Sequence, residues 1–188
     1  MSINLFALSW IKRKMENEAN SDALVNSILD RSITALVSDK ITGLGQYALA
    51  YNANLTTLKL KNLKTTSNFS ITNCNNLSNV YMPNLNLLGY AACENNVGIK
   101  RLKIDVNTSL YARSLRNTSV ETLILTCSDK ISGLSDVNAL AGTPIASGTG
   151  YIYVPAALIE EYKTATNWVT YADQFRAIED YPDICGGV

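Results

Sequence analysis

The chain has 188 residues, 47% of them hydrophobic and only 17% charged, with 16 basic residues balancing 16 acidic ones and no histidine at all. That length suits one domain with a small appendage, and the apolar share suffices for a buried core. Balanced charge without a long like-charged run argues against nucleic acid as a partner, while the missing histidine removes the commonest general base, the commonest neutral metal ligand and every Ser-His or Cys-His pair.

In chain order, residues 1–20 (MSINLFALSWIKRKMENEAN) carry an apolar run with Leu5, Phe6, Leu8, Trp10 and Ile11, followed by Lys12, Arg13 and Lys14. The run is too short to span a bilayer. Its charge follows the apolar stretch and no small-residue cleavage site is visible, the reverse of a secretory signal. A chain without signal peptide or membrane insertion is the expectation. Those five apolar residues either fold back on the body or form a peg that attaches to a partner protein. Residues 21–32 read as an N-terminal cap helix, with Ser21 or Asp22 as cap and Leu24, Val25, Ile28 and Leu29 on one face.

Residues 33–137 repeat. The segments LTTLKL (55–60), LSNVYM (77–82), IKRLKI (99–104) and VETLIL (120–125) start 22, 22 and 21 residues apart, and ITALVS (33–38) is a weaker copy. Each carries inward positions at i, i+3 and i+5: Ile33/Leu36/Ser38, Leu55/Leu58/Leu60, Leu77/Val80/Met82, Ile99/Leu102/Ile104 and Val120/Leu123/Leu125. The last two of each set have strand spacing. Such a unit cannot bury its apolar side alone, so the period predicts stacked units extending one sheet. Gly43, Gly45 and Gly89 are expected at bends that need positive φ. Asparagines before the strands are expected to hydrogen-bond backbone groups that the turns leave unpaired.

Residues 138–178 read as a C-terminal cap. A final strand leads into a helix, with Pro155 in its first turn and Leu158 and Tyr162 on one face. Tyr171, Phe175 and Ile178, at i, i+4 and i+7, predict further helix. Residues 179–188 read as an irregular tail. Of the four cysteines, Cys74, Cys93, Cys127 and Cys185, none forms a C-x-x-C, and Cys74 and Cys93 fall where a small buried residue is wanted. The N-x-S/T sites reflect an Asn- and Thr-rich composition.

The pattern ITGLGQYAL…NLTTLKL resembles the BspA-type leucine-rich repeat, roughly I-G-x-x-A-F-x-x-C-x-x-L-x-x-L-x-L-P. Cys74 and Met82-Pro83 match its cysteine and terminal proline, whereas Leu49, Ile71 and Cys93 stand where its aromatic does. The stretch from Asn138 to Ile178 is similar to the cap that closes such arrays. The resemblance covers about residues 33–178. It implies an α/β leucine-rich-repeat solenoid of about five 21–22-residue units with helical caps at both ends. Proteins resembling this chain are either secreted bacterial adhesins or short phage structural proteins of tails, baseplates or fibres.

The expectation is a non-catalytic virion protein, made in the bacterial cytoplasm and contacting other virion proteins or a host-surface protein or glycan. A bacterial adhesin fragment and a cytoplasmic repeat scaffold are the alternatives, and self-association stays open. The binding face would be the outward residues of the strands: Thr57, Lys59, Asn79, Tyr81, Arg101, Lys103, Thr122 and Ile124. Tyr81 would give an aromatic platform with donors around it; a solvated sheet face covered by long side chains is the plainer alternative. No metal or cofactor motif is present. Glu160-Glu161 and Glu179-Asp180 are sequence neighbours and do not face each other as paired acid-base carboxylates must. No enzyme activity is expected.

Overall fold

The computed structural model describes residues 31–186. The apolar segment 1–20, and the 21–32 helix apart from Arg31 and Ser32, lie outside the described residues.

Each repeat contributes two strands. The first series is β1 (Ala35–Ser38), β3 (Thr57–Leu60), β5 (Asn79–Tyr81), β7 (Arg101–Ile104) and β9 (Thr122–Leu125), continued by β11 (Tyr151–Val154) and β12 (Phe175–Ala177). The second is a set of two-residue strands: β2 (Gly43–Leu44), β4 (Thr65–Thr66), β6 (Leu87–Leu88), β8 (Ser109–Leu110) and β10 (Gly133–Leu134). All pairing is parallel, and the register follows the sequence period: Leu36 lies beside Leu58, Leu58 beside Val80, and Leu102 beside Leu123. The alternating apolar residues meet inside, where Leu55, Leu58, Leu60, Leu77, Met82, Leu102, Ile104 and Leu123 are all buried. Val80 is the exception, only half-buried.

The expected leucine-rich-repeat solenoid with helical caps is corrected. The chain is an α/β fold of three parallel-strand sheets, of three (β1-β3-β5), five (β10-β8-β6-β4-β2) and four (β12-β11-β9-β7) strands, with a few short helices. The return segments, expected as bends, pair into the five-stranded sheet, and the main ladder is interrupted between β5 and β7. At the C-terminal end the helix expected through Tyr171, Phe175 and Ile178 is absent. Trp168–Gln174 forms 3-10 turns broken at Tyr171, and Phe175–Ala177 is a strand paired with β11. The reason is periodicity: Phe175 and Ala177 are buried with Arg176 between them, a spacing of two. Only α1 (Ile159–Thr164) and α2 (Pro182–Cys185) are α-helical among the described residues. The tail expected to be irregular thus contains α2.

The glycine expectation is corrected too. Gly43 lies in β2, and neither Gly45 nor Gly89 has positive φ. The left-handed positions are held by Tyr47, Phe69, Ala91 and Arg113, and by Tyr51, Asn73, Asn95 and Asn117. The amides of Phe69, Ala91, Tyr51, Asn73, Asn95 and Asn117 reach the next repeat, as Phe69 N–H to Tyr90 O (3.0 Å) and Asn95 N–H to Arg116 O (3.0 Å). Neighbouring repeats therefore hold a conformation that these side chains would otherwise disfavour. Gly89 is required for another reason, because a Cβ there would stand 2.5 Å from Thr66 O.

The asparagine ladder is present. Asn54, Asn62, Asn76 and Asn84 each donate from Nδ2 to a carbonyl of the preceding repeat, those of Arg31, Asp39, Ala53 and Lys61, at 2.7–3.0 Å. Cys74 and Cys93 are core residues; burial pushes their thiols up to about 11 and about 12.

The last strand of the five-stranded sheet would expose an unpaired edge. Side chains close it. Ser132 N–H donates to Tyr162 Oη (2.8 Å), Trp168 Nε1 donates to Ser132 O (2.7 Å) and Asn167 Nδ2 donates to Leu134 O (2.8 Å). Tyr162, Trp168 and Phe175 pack together with ring centroids 5.1–5.9 Å apart.

Candidate functional site

The interruption between β5 and β7 coincides with a cleft of about 340 Å³ lined by Lys59, Asn79, Val80, Tyr81, Arg101, Lys103 and Asp105. Strand alternation positions these residues. With Leu58, Leu60, Leu102 and Ile104 committed to the core, Lys59, Arg101 and Lys103 must face outward. Beyond the interruption the two strands rejoin, where Asp105 N–H donates to Pro83 O at 2.7 Å.

Three cations line the cleft against one carboxylate. That carboxylate is partly spent: Asp105 Oδ1 accepts from Thr126 Oγ1 at 3.0 Å and lies 3.9 Å from Lys103 Nζ. Tyr81, half-buried, supplies a ring between Lys59 on β3 and Lys103 on β7, and Asn79 adds an amide. Positive potential beside an aromatic face and an amide fits a ligand that combines anionic or hydroxyl groups with a stacking surface.

Of the face residues expected from sequence, Lys59, Asn79, Tyr81, Arg101 and Lys103 come together here, while Thr57 and Thr122 do not line the cleft. Ile124 is a correction. It is fully buried, packed with Tyr153, Cys185 and Ile178. The cause is the C-terminal segment, which crosses the outer side of the four-stranded sheet. Cys185 of α2 is 4% exposed, Tyr181 meets Tyr153 edge-on at 5.4 Å, and Arg101 Nη2 donates to Ile184 O at 3.1 Å. Burial raises the Cys185 thiol, opposed by the nearby Arg101 and Lys103. The peg residues Leu5, Phe6, Leu8, Trp10 and Ile11 lie outside the described residues.

Two lining residues escaped the sequence reading. Asp105 follows the strand, and Val80 was placed inward; a three-residue strand ahead of Pro83 is the only local hint that this rung differs.

A second cleft, of about 510 Å³, is lined by Thr118, Ser119, Gly142, Thr143, Pro144, Ala146, Ser147 and Thr149. It carries no charge, and most of its hydroxyls already donate to the chain's own carbonyls, as Thr118 to Leu115 O, Thr143 to Leu140 O and Ser147 to Pro144 O, at 2.7–3.0 Å. Little is left there to recognise a ligand.

Two of the four carboxylates considered for catalysis have structural partners. Glu160 Oε1 pairs with Lys163 Nζ at 2.9 Å, and Glu179 Oε2 accepts from Ala156 N–H at 3.0 Å. Glu94, buried, accepts from Arg113 Nε at 2.9 Å and holds it beside the Tyr90 hydroxyl. Among the described residues, no three His, Cys, Asp or Glu side chains gather as metal ligands would, and no helix is long and apolar enough to cross a membrane. Comparison with protein-family models and with curated proteins gives no match.

Proposed function

We propose that the chain is a non-catalytic binding module that grips a partner protein or surface glycan through the cleft on its sheet face. The observation that carries this reading is the convergence of Lys59, Asn79, Tyr81, Arg101 and Lys103 at the interruption of the outer ladder between β5 and β7. Alternation turns these side chains outward, and where β5 and β7 part they line an open volume together. The core below is already closed, so these groups are not needed to complete it.

The setting we propose is a phage particle, with the chain as a component of a tail, baseplate or fibre, and the support for this is the resemblance of the repeat to short proteins of that kind. Prophages of the source strain would be induced, and purified particles and cell envelopes probed with an antibody against this chain. Signal in the particles is the expected result. Signal confined to envelopes would overturn the virion setting and favour an adhesin.

A further inference from the structure

The row of outward residues that includes Lys59 and Tyr81 has a counterpart past the interruption, where Lys103, Ile124 and Tyr153 stand side by side on β7, β9 and β11. The first part of this face is open and cationic. The second is apolar and covered by residues 181–186. We propose that this segment is a displaceable strap, and that the face beneath it takes, in the strap's place, an acidic peptide with an aromatic or aliphatic anchor from a partner protein.

This rests on the reading of the cleft as a binding surface, and it identifies the occupant. The strap itself shows which chemistry the surface accepts. It presents Cys185 to Ile124 and Tyr153, sets Tyr181 against the Tyr153 ring, and gives a backbone carbonyl to Arg101. Of its own residues only Asp183 is acidic, while the neighbouring cleft is lined by Lys59, Arg101 and Lys103. A partner peptide of the same kind would satisfy the apolar positions and extend its acids into the cleft that the strap leaves open.

The strap's hold is light. Ile184 and Tyr181 are 39% and 37% exposed, and several of its backbone hydrogen bonds close its own short turn, as Cys185 N–H to Tyr181 O. Just before it, Ile178 still packs against the sheet and Glu179 still caps Ala156. Release from residue 181 onward therefore leaves the sheet and the aromatic plug intact. Release would uncover Ile124 and Tyr153 and join them to the cleft as one groove. A covering segment lowers the apparent affinity of a competitor by the fraction of molecules in which the face is open.

The test is a titration of the full chain with a synthetic peptide of residues 179–186, followed by NMR at Lys59, Tyr81, Ile124 and Tyr153. Wild type is compared with Cys185→Arg, which forces a cation into a buried position beside Arg101 and Lys103 and so lifts the strap. Tyr181→Ala is the milder alternative should the first variant lose its fold. The lifted variant should bind the peptide at least about tenfold more tightly than wild type, with perturbations at all four residues. A peptide with its acids changed to amides should bind more weakly. Equal affinity in wild type and in the strap variants, indifference to the acids, or perturbations that avoid Ile124 and Tyr153 would overturn the proposal. Equal peptide affinity combined with lost surface binding in Tyr81→Ala/Lys103→Ala would dismiss the strap and keep the cleft, whereas unaffected surface binding in that double variant would dismiss the cleft itself.

Discussion

Trp168→Ala should lower the stability of the chain by about 3–5 kcal/mol, the range for deleting a large buried aromatic side chain. Trp168 is 1% exposed and stands in the plug that closes the last repeat, edge-on to Tyr162 at 5.5 Å and to Phe175 at 5.9 Å. Truncation opens a cavity that these two rings cannot fill without leaving their own contacts. It also removes the indole donor from Ser132 O, next to an edge strand only two residues long. Trp168→Phe separates the two effects: it keeps most of the volume and loses the hydrogen bond, for about 1 kcal/mol. Denaturant unfolding measures both, as a shift in midpoint at unchanged slope. A loss below about 1 kcal/mol in Trp168→Ala would mean that the plug does not hold the sheet's end.

The second large effect is expected at Asn96. This side chain is fully buried and spans two repeats: Oδ1 accepts from Cys74 N–H at 2.6 Å, and Nδ2 donates to Ile71 O at 3.0 Å. Asn96→Ala orphans a buried donor and a buried acceptor together, each at about 1–3 kcal/mol. A total of about 2–6 kcal/mol follows, provided that no water enters to replace the amide. Asn96→Asp keeps the acceptor while placing a charge in the core, so it should fare no better at neutral pH and recover partly in acid, where the carboxyl is protonated. Thermal unfolding of both variants at neutral and mildly acidic pH checks this. A wild-type midpoint in Asn96→Ala would show that the amide does not join the repeats.

Much of this architecture was legible because period and burial coincide. Leu58, Leu102 and Leu123 recur at the same point of successive repeats, and a parallel register is the arrangement that buries all of them at once. Asn54 and Asn76, just before the strands, were legible for a similar reason; Asn62 and Asn84, which follow the strands and reach one repeat back in the same way, were not expected. What failed was local inference where two periods overlap. Phe175 is four residues from Tyr171 and two from Ala177, and pairing with β11 decided for the strand. The positive-φ positions failed because neighbouring repeats supply the acceptors that hold Phe69, Ala91 and Tyr51 there, which no local rule reports. At the site, alternation identified Lys59, Tyr81 and Lys103. It could not show that residues 60 positions downstream would return to cover Ile124 (Cys185 lies 61 residues after it), nor that β5 and β7 would part.

The most direct test of the cleft is binding of the purified chain to host-cell envelopes, comparing wild type with Tyr81→Ala/Lys103→Ala. Both side chains are only partly buried, so the double variant should keep its fold, and its unfolding midpoint is measured alongside. Its affinity should fall at least about tenfold, equivalent to about 1.4 kcal/mol, with saturable binding retained by wild type. Equal affinity of the two proteins would contradict a binding role for this cleft.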